Sequence, residues 1–97
     1  MTREETMRRL RAHRAELKGL GAVRLFLFGS MARDEAGAES DVDLFFDYED
    51  PLFSLLDLVG VKMRVEEILG IDADVMTRSS LHPVLKDDII ASAVQVY

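Results

Sequence analysis

The chain has 97 residues, no cysteine, 48% hydrophobic and 31% charged residues, and a net charge of −6. This is the size and balance of one folded domain, and it excludes disulfides, thiolate metal sites and intrinsic disorder. No apolar run approaches the ~20 residues of a membrane helix, and the opening Met-Thr-Arg-Glu-Glu has no apolar signal region, so the expectation is one cytoplasmic domain over residues 1–97. The charge is uneven. Residues 1–24 carry seven Lys and Arg against three Glu, whereas residues 25–97 carry five against fifteen acids. Nucleic-acid binding depends on Lys and Arg neutralising phosphates, so the acidic body argues against it. The basic segment reads as a solvated helix face, or as a surface for an acidic partner or a triphosphate.

Thr2-x-x-Glu5 is a capping-box pattern and predicts a helix from about Arg3. Met7, Leu10 and Leu17 fall on one face, Arg14 interrupts that stripe, and Gly19 and Gly21 supply stop signals. Ala22–Phe28, apolar except for Arg24, reads as a strand buried on both faces. Gly29-Ser30 ends it, Met31–Arg33 begins a short helix, and Asp34–Ser40 is a polar loop. Asp41–Asp47 alternates as a strand, with Val42, Leu44 and Phe46 on one side and Asp41, Asp43, Phe45 and Asp47 on the other.

Leu52–Leu69 has helical length and two apolar stripes. Leu52, Leu55, Leu56, Val59 and Met63 form one, and Leu58, Val61, Val65, Ile68 and Leu69 the other. A helix apolar on two faces has two things to pack against. One is the sheet; the other is a partner chain or more of the domain's own core. Gly70 closes the helix, Ile71–Thr77 reads as a third strand, and His82-Pro83 opens a last helix over Val84–Val94. The order helix, strand, strand, helix, strand, helix defines an α/β or α+β domain with a small mixed sheet and flanking helices. His13 reads as exposed and His82 as a turn or capping residue. Neither has a second His at ligand spacing, which argues against zinc.

Three features carry chemistry. Asp41 and Asp43, at i and i+2 of a strand, share a face with Cα atoms ~6.6 Å apart. Paired carboxylates repel unless a cation lies between them, and Asp is a poor strand former, so the local rule is broken where a function would break it. Oxygen ligands of this kind suit Mg2+ or Mn2+. Gly29-Ser30 at a strand-to-helix turn offers backbone N–H groups and a hydroxyl to phosphate. Asp74, in Ile71-Asp72-Ala73-Asp74-Val75-Met76, supplies a third carboxylate, although Asp72 shares its face and the period alone does not choose between them.

Together, Gly29-Ser30-Met31-Ala32-Arg33, a spacer ending in Ser40, and Asp41-Val42-Asp43-Leu44 resemble the signature of the polymerase-β-type nucleotidyltransferase superfamily. The likeness extends through Leu55–Gly60, Asp74–Thr77 and Ala93–Tyr97 to the minimal nucleotidyltransferases, the antitoxins of HEPN–MNT pairs. Asp34 departs from it, since relatives often carry Gly there.

The resemblance implies roles. Asp41 and Asp43 would hold two Mg2+ ions, and Asp74 would hold the catalytic ion and help deprotonate the acceptor. Gly29 and Ser30 would bind the β- and γ-phosphates of ATP, and Arg33 would neutralise phosphate charge or else stand in a surface ion pair. Asp74 is preferred to Asp72 because the family's third carboxylate directly precedes apolar residues matched by Val75-Met76. The implied activity is transfer of AMP from ATP to a tyrosine of a HEPN toxin, with the acceptor site on another chain, either a homodimer mate or a hetero-oligomeric partner. The alternative is an idle antitoxin that neutralises its toxin by contact alone.

Overall fold

The computed structural model describes residues 1–33 and 42–97. Asp41 and the predicted loop Asp34–Ser40 lie outside the described residues. Among those described, the elements run α1 (Arg3–Ala12), α2 (Arg14–Gly19), β1 (Arg24–Phe28), α3 (Gly29–Ala32), β2 (Val42–Asp47), α4 (Leu55–Leu69), β3 (Ala73–Thr77), a 3-10 turn (Arg78–Ser80), α5 (Lys86–Ser92) and β4 (Val94–Gln95). The sheet order is β3-β2-β1-β4. β1 is antiparallel to β2 and β4, and β2 is parallel to β3, which gives the expected mixed sheet.

Period-two alternation in β1 and β2 produces two apolar layers. One face of the sheet (Leu25, Leu27, Val42, Leu44, Phe46, Ala73 and Val75) packs against Met7, Leu10, Leu17, Val61, Val65 and Leu69 of the long helices. The other face carries Phe26, Phe28, Phe45 and Met76 beneath Leu81, Ile89 and Ile90. Phe26 and Phe45 stack there with ring centroids 4.8 Å apart.

Several elements differ from the sequence expectation. The first helix is broken at His13, whose backbone leaves the helical region (φ −109°, ψ 17°). Thr2 caps α1 by accepting from the Glu5 N–H at 3.1 Å. α4 starts three residues later than predicted because Ser54 and Asp57 form a capping box. The first α4 stripe is exposed and the second faces the core, so the domain's own core covers only one of the two apolar faces.

The last helix is shorter than predicted, Lys86–Ser92, and Val94-Gln95 pairs as a strand with β1 instead. The physical reason is that Ala93 turns extended (φ −70°, ψ 149°), after which Val94 and Val96 can satisfy the open edge of β1. The Val96 N–H donates to the Leu25 carbonyl at 2.8 Å, and the Leu25 N–H donates to the Tyr97 carbonyl at 3.2 Å. Arg11 clamps this segment by donating from Nε to the Val96 carbonyl at 2.6 Å. Arg3, Arg9 and Arg11 thus hold backbone carbonyls of other segments, so part of the basic N-terminal segment is structural.

Candidate active site

β1 delivers the chain to a sharp turn. Phe28 is extended (φ −136°, ψ −176°), Gly29 is left-handed (φ 76°), and α3 begins at once. Only glycine adopts such a φ without strain. Glycine is also needed here for space, because a Cβ at position 29 would lie 2.5 Å from Asp43 Oδ2. The bare Gly29 backbone therefore rests against the Asp43 carboxylate. Ser30 follows on the same turn, half-buried, and Arg33 closes α3 by donating its N–H to the Gly29 carbonyl at 3.2 Å.

Asp43 and Phe28 are register partners across the antiparallel β1–β2 ladder. Asp43 and Asp74 are register partners across the parallel β2–β3 ladder. Neighbouring strands lie about 4.8 Å apart, so two carboxylates stand side by side on the sheet face that also carries Phe28 and Phe45. Asp72 lies before β3 begins, whereas Asp74 is the second residue of that strand. Asp74 is exposed and Asp43 half-buried.

The donor set is two hard carboxylate oxygen groups beside a glycine turn, chemistry that fits Mg2+ or Mn2+ better than zinc. Among the described residues no three acidic or His side chains cluster for a metal. The third expected ligand, Asp41, falls outside the described residues. No described helix is long and apolar enough to cross a membrane.

At the other end of β2, four residues or about 13 Å from Asp43, the sequence reading missed an ion-pair cluster. Arg78 donates from Nε to Asp47 Oδ1 at 2.7 Å and from a terminal nitrogen to Oδ2 at 3.1 Å. Its guanidinium lies over Phe26 and Phe45, 4.9 and 5.1 Å from the ring centroids. Arg24 adds a 3.0 Å bond to Asp47. The Arg78 hydrogen bonds hold the Asp47 carboxyl below its usual range against the opposing effect of burial. A hollow of about 350 Å³ borders the cluster, lined by Tyr48, Thr77, Arg78, Ser79 and Lys86 among others. This hollow is not at the carboxylates.

His82 Nδ1 accepts from the Val84 N–H at 3.2 Å, the turn role its place before Pro83 predicts. His13 is half-buried rather than fully exposed, its Nδ1 4.0 Å from the Glu16 carboxylate.

The geometry is a parallel β2–β3 pair with facing aspartates next to a glycine turn that opens a helix. Comparison with known proteins gives the family. The family model for the nucleotidyltransferase domain matches residues 7–96. A candidate protein adenylyltransferase of Methanocaldococcus jannaschii is 46% identical over 76 residues, 78% of this chain and 81% of its own. The protein adenylyltransferase MntA of Thermococcus cleftensis is 35% identical over 97 residues, 99% of this chain and 97% of its own. Among solved structures, a candidate minimal nucleotidyltransferase superposes with a TM-score of 0.75 at 35% identity, covering 97% of this chain and 95% of its own. The fold also matches, at a TM-score of 0.69 and 14% identity, the Shewanella oneidensis MNT antitoxin solved with a tri-AMPylated HEPN toxin, covering 99% of this chain and 72% of that one. The chain belongs to the nucleotidyltransferase domain family, and its relatives are enzymes of the protein adenylyltransferase type.

Proposed function

We propose that this protein transfers AMP from ATP to a hydroxyl, a tyrosine, of a HEPN-domain toxin and thereby acts as its antitoxin, with Asp41, Asp43 and Asp74 as its carboxylates. The observation that carries the reading is the direct register of Asp43 with Asp74, with Gly29 pressed against Asp43. The names of the relatives supply the chemistry: two are protein adenylyltransferases, and one fold neighbour is an MNT antitoxin bound to an AMPylated toxin.

In this reading the Gly29-Ser30 turn takes the β- and γ-phosphates through backbone N–H groups and the Ser30 hydroxyl. Asp41, Asp43 and Asp74 hold divalent ions, which when bound supply charge neutralisation at the α-phosphate and lower the acceptor hydroxyl's pKa. Asp74, on the open strand β3, faces the acceptor. It takes the hydroxyl proton as the oxygen attacks the α-phosphorus. The bond from the α-phosphorus to the bridging oxygen of the β-phosphate breaks, and pyrophosphate leaves. Arg33, the residue that caps the end of α3, offsets triphosphate charge. Most of the acceleration is positioning of two bound partners.

The test incubates ATP labelled at the α-phosphate with Mg2+, this protein and a HEPN-domain partner from the same organism. Label on the partner with wild type and none with Asp43→Ala supports the transfer. Tight complexes from both proteins with no label from either would leave the contact-only antitoxin as the surviving reading.

A further inference from the structure

We infer that the outer stripe of α4 is the docking surface for the acceptor protein of the proposed reaction, and that it receives a helix whose apolar stripe is flanked by Lys and Arg. The inference rests on the transfer reading above and adds the surface that brings the acceptor in.

The inner stripe of α4 is spent on the core, through Val61, Val65 and Leu69. The outer stripe is not covered. Leu52, Leu55 and Leu56 are 84%, 73% and 82% exposed, and Val59 and Met63 are 43% and 56% exposed. These five make up half of the exposed large hydrophobic residues of the described chain. A contiguous apolar stripe of this kind marks an interaction surface, whereas scattered apolar residues do not.

Gly60 is an independent sign. It sits in the interior of α4, one turn after Leu56, and borders the stripe. A glycine there weakens a helix. The usual excuses are missing: Gly60 is not among the left-handed glycines, and an added Cβ would meet nothing within 4 Å. Nothing among the described residues requires glycine at 60. A flat spot beside an apolar stripe does serve a second helix that must approach closely.

Charge decides between occupants. The residues flanking the stripe in sequence are Glu49, Asp50, Asp57, Glu66 and Glu67 against Lys62 and Arg64; Arg64 pairs with Glu16 and Glu67, and Arg24 with Glu49, and an acidic excess remains. A second copy would set this acidic rim against itself, whereas a helix edged with Lys and Arg complements it. Position agrees. α4 packs over β3, and the Glu66 carboxylate accepts the N–H of Ala73 at 3.1 Å, the residue before Asp74. α4 covers the sheet face opposite to the one that carries Asp43 and Asp74, and β3 is the edge strand, so a protein seated on α4 reaches Asp74 around that edge.

The experiment uses the full chain and the HEPN-domain partner, with wild type, Leu56→Glu, Gly60→Ala and Asp43→Ala. Partner binding, label transfer, the melting temperature of the chain alone with and without Mg2+ and ATP, and its sedimentation are measured. The expected result is that Leu56→Glu binds the partner at least about tenfold more weakly, the loss of one well-buried contact, and keeps the ATP-dependent rise in melting temperature. Gly60→Ala melts higher than wild type yet binds the partner several-fold more weakly, a pairing that a merely structural glycine would not give. Asp43→Ala binds normally and transfers nothing. Wild-type binding and labelling by Leu56→Glu, or unchanged binding by Gly60→Ala, overturns the inference. A wild-type dimer dispersed by Leu56→Glu also overturns it and gives the face to a second copy. A partner that binds no variant overturns it too, and the Mg2+- and ATP-dependent melting shift then shows separately whether the nucleotidyl-transfer reading stands.

Discussion

Asp43 and Asp74 face each other directly across the parallel β2–β3 ladder. Like charges directly opposite on a sheet destabilise it by roughly 0.2–1 kcal/mol, and a divalent cation reverses the sign. Asp74→Asn is therefore expected to leave stability unchanged or raised by that amount in chelator. Mg2+ should raise the melting temperature of wild type and do much less for the variant, because ligand binding stabilises through mass action. Label transfer should fall by about 10³ if Asp74 both holds an ion and takes the proton. A scan in EDTA and in Mg2+ with both proteins decides it, and equal Mg2+ shifts would remove Asp74 from the metal site.

Gly29→Ala tests the turn. The variant needs a left-handed alanine, which costs roughly 1–2 kcal/mol, and its Cβ would press on Asp43 Oδ2. Stability should drop by about that strain. Transfer should drop by ~10² because the carboxylate moves about an ångström from its working place. Urea melts and labelled-ATP assays on one preparation separate the two. Full activity at lowered stability would show that the Gly29–Asp43 contact has no part in the chemistry.

The Asp47–Arg78 pair should set the acid limit of the fold. Arg78 hydrogen bonds depress the Asp47 carboxyl. A depressed folded-state pKa contributes stability that is present above the unfolded value, about 4, and is lost as pH falls through the folded value. Wild type should lose this contribution below about pH 4, and Asp47→Asn should show a flatter acid limb. At neutral pH, Asp47→Ala should cost about 1–2 kcal/mol, since it strips the charged hydrogen bonds from Arg78, which water still partly reaches. An acid limb identical in wild type and Asp47→Asn would rule the pair out.

Tyr97 governs the alkaline side. Its hydroxyl donates to the Ala22 carbonyl at 2.8 Å, and burial raises its pKa far above the usual value. A raised folded-state pKa gives stability that is complete below the unfolded pKa of about 10 and is lost as pH climbs past it. Tyr97→Phe should cost about 1 kcal/mol at pH 7, the ordinary net value of such a bond, and should abolish the decline that begins near pH 10. Thermal melts from pH 8 to 11 would show it, and a variant with an unaltered alkaline decline would contradict the assignment.

The parts of the site that were legible are local. Gly29-Ser30 after an apolar run, the alternation that puts Asp43 opposite in sense to Val42 and Leu44, and the two stripes of α4 are short-range patterns, and the chain folds to match them. The parts that were not legible depend on distant partners. Arg78 meets Asp47 across 31 positions, and nothing near Arg78 in the sequence announces that. Period two alone left Asp74 and Asp72 open; the resemblance chose Asp74, and the placement of that residue opposite Asp43 depends on the register of β3. The break at His13 involves neither Gly nor Pro, and we have no sequence account of it. Val94-Gln95 carries strand chemistry, but a helical run leads straight into it, and only the open edge of β1 decides the outcome.

That edge has a consequence for how the molecule comes into being. β1 is a middle strand whose neighbour on one side is supplied by residues 42–47 and on the other by residues 94–97. During synthesis Leu25 therefore keeps an unpaired N–H and carbonyl while nearly the whole chain is being made, and such an edge invites pairing with other chains. Chain order delivers β1 and β2 before β3, and the residues that seal the far edge of β1 after all three. A chain cut before residue 94 would keep Gly29, Asp43 and Asp74 but leave the Leu25 N–H and carbonyl without the partners that Tyr97 and Val96 supply, an open seam on which other chains could pair.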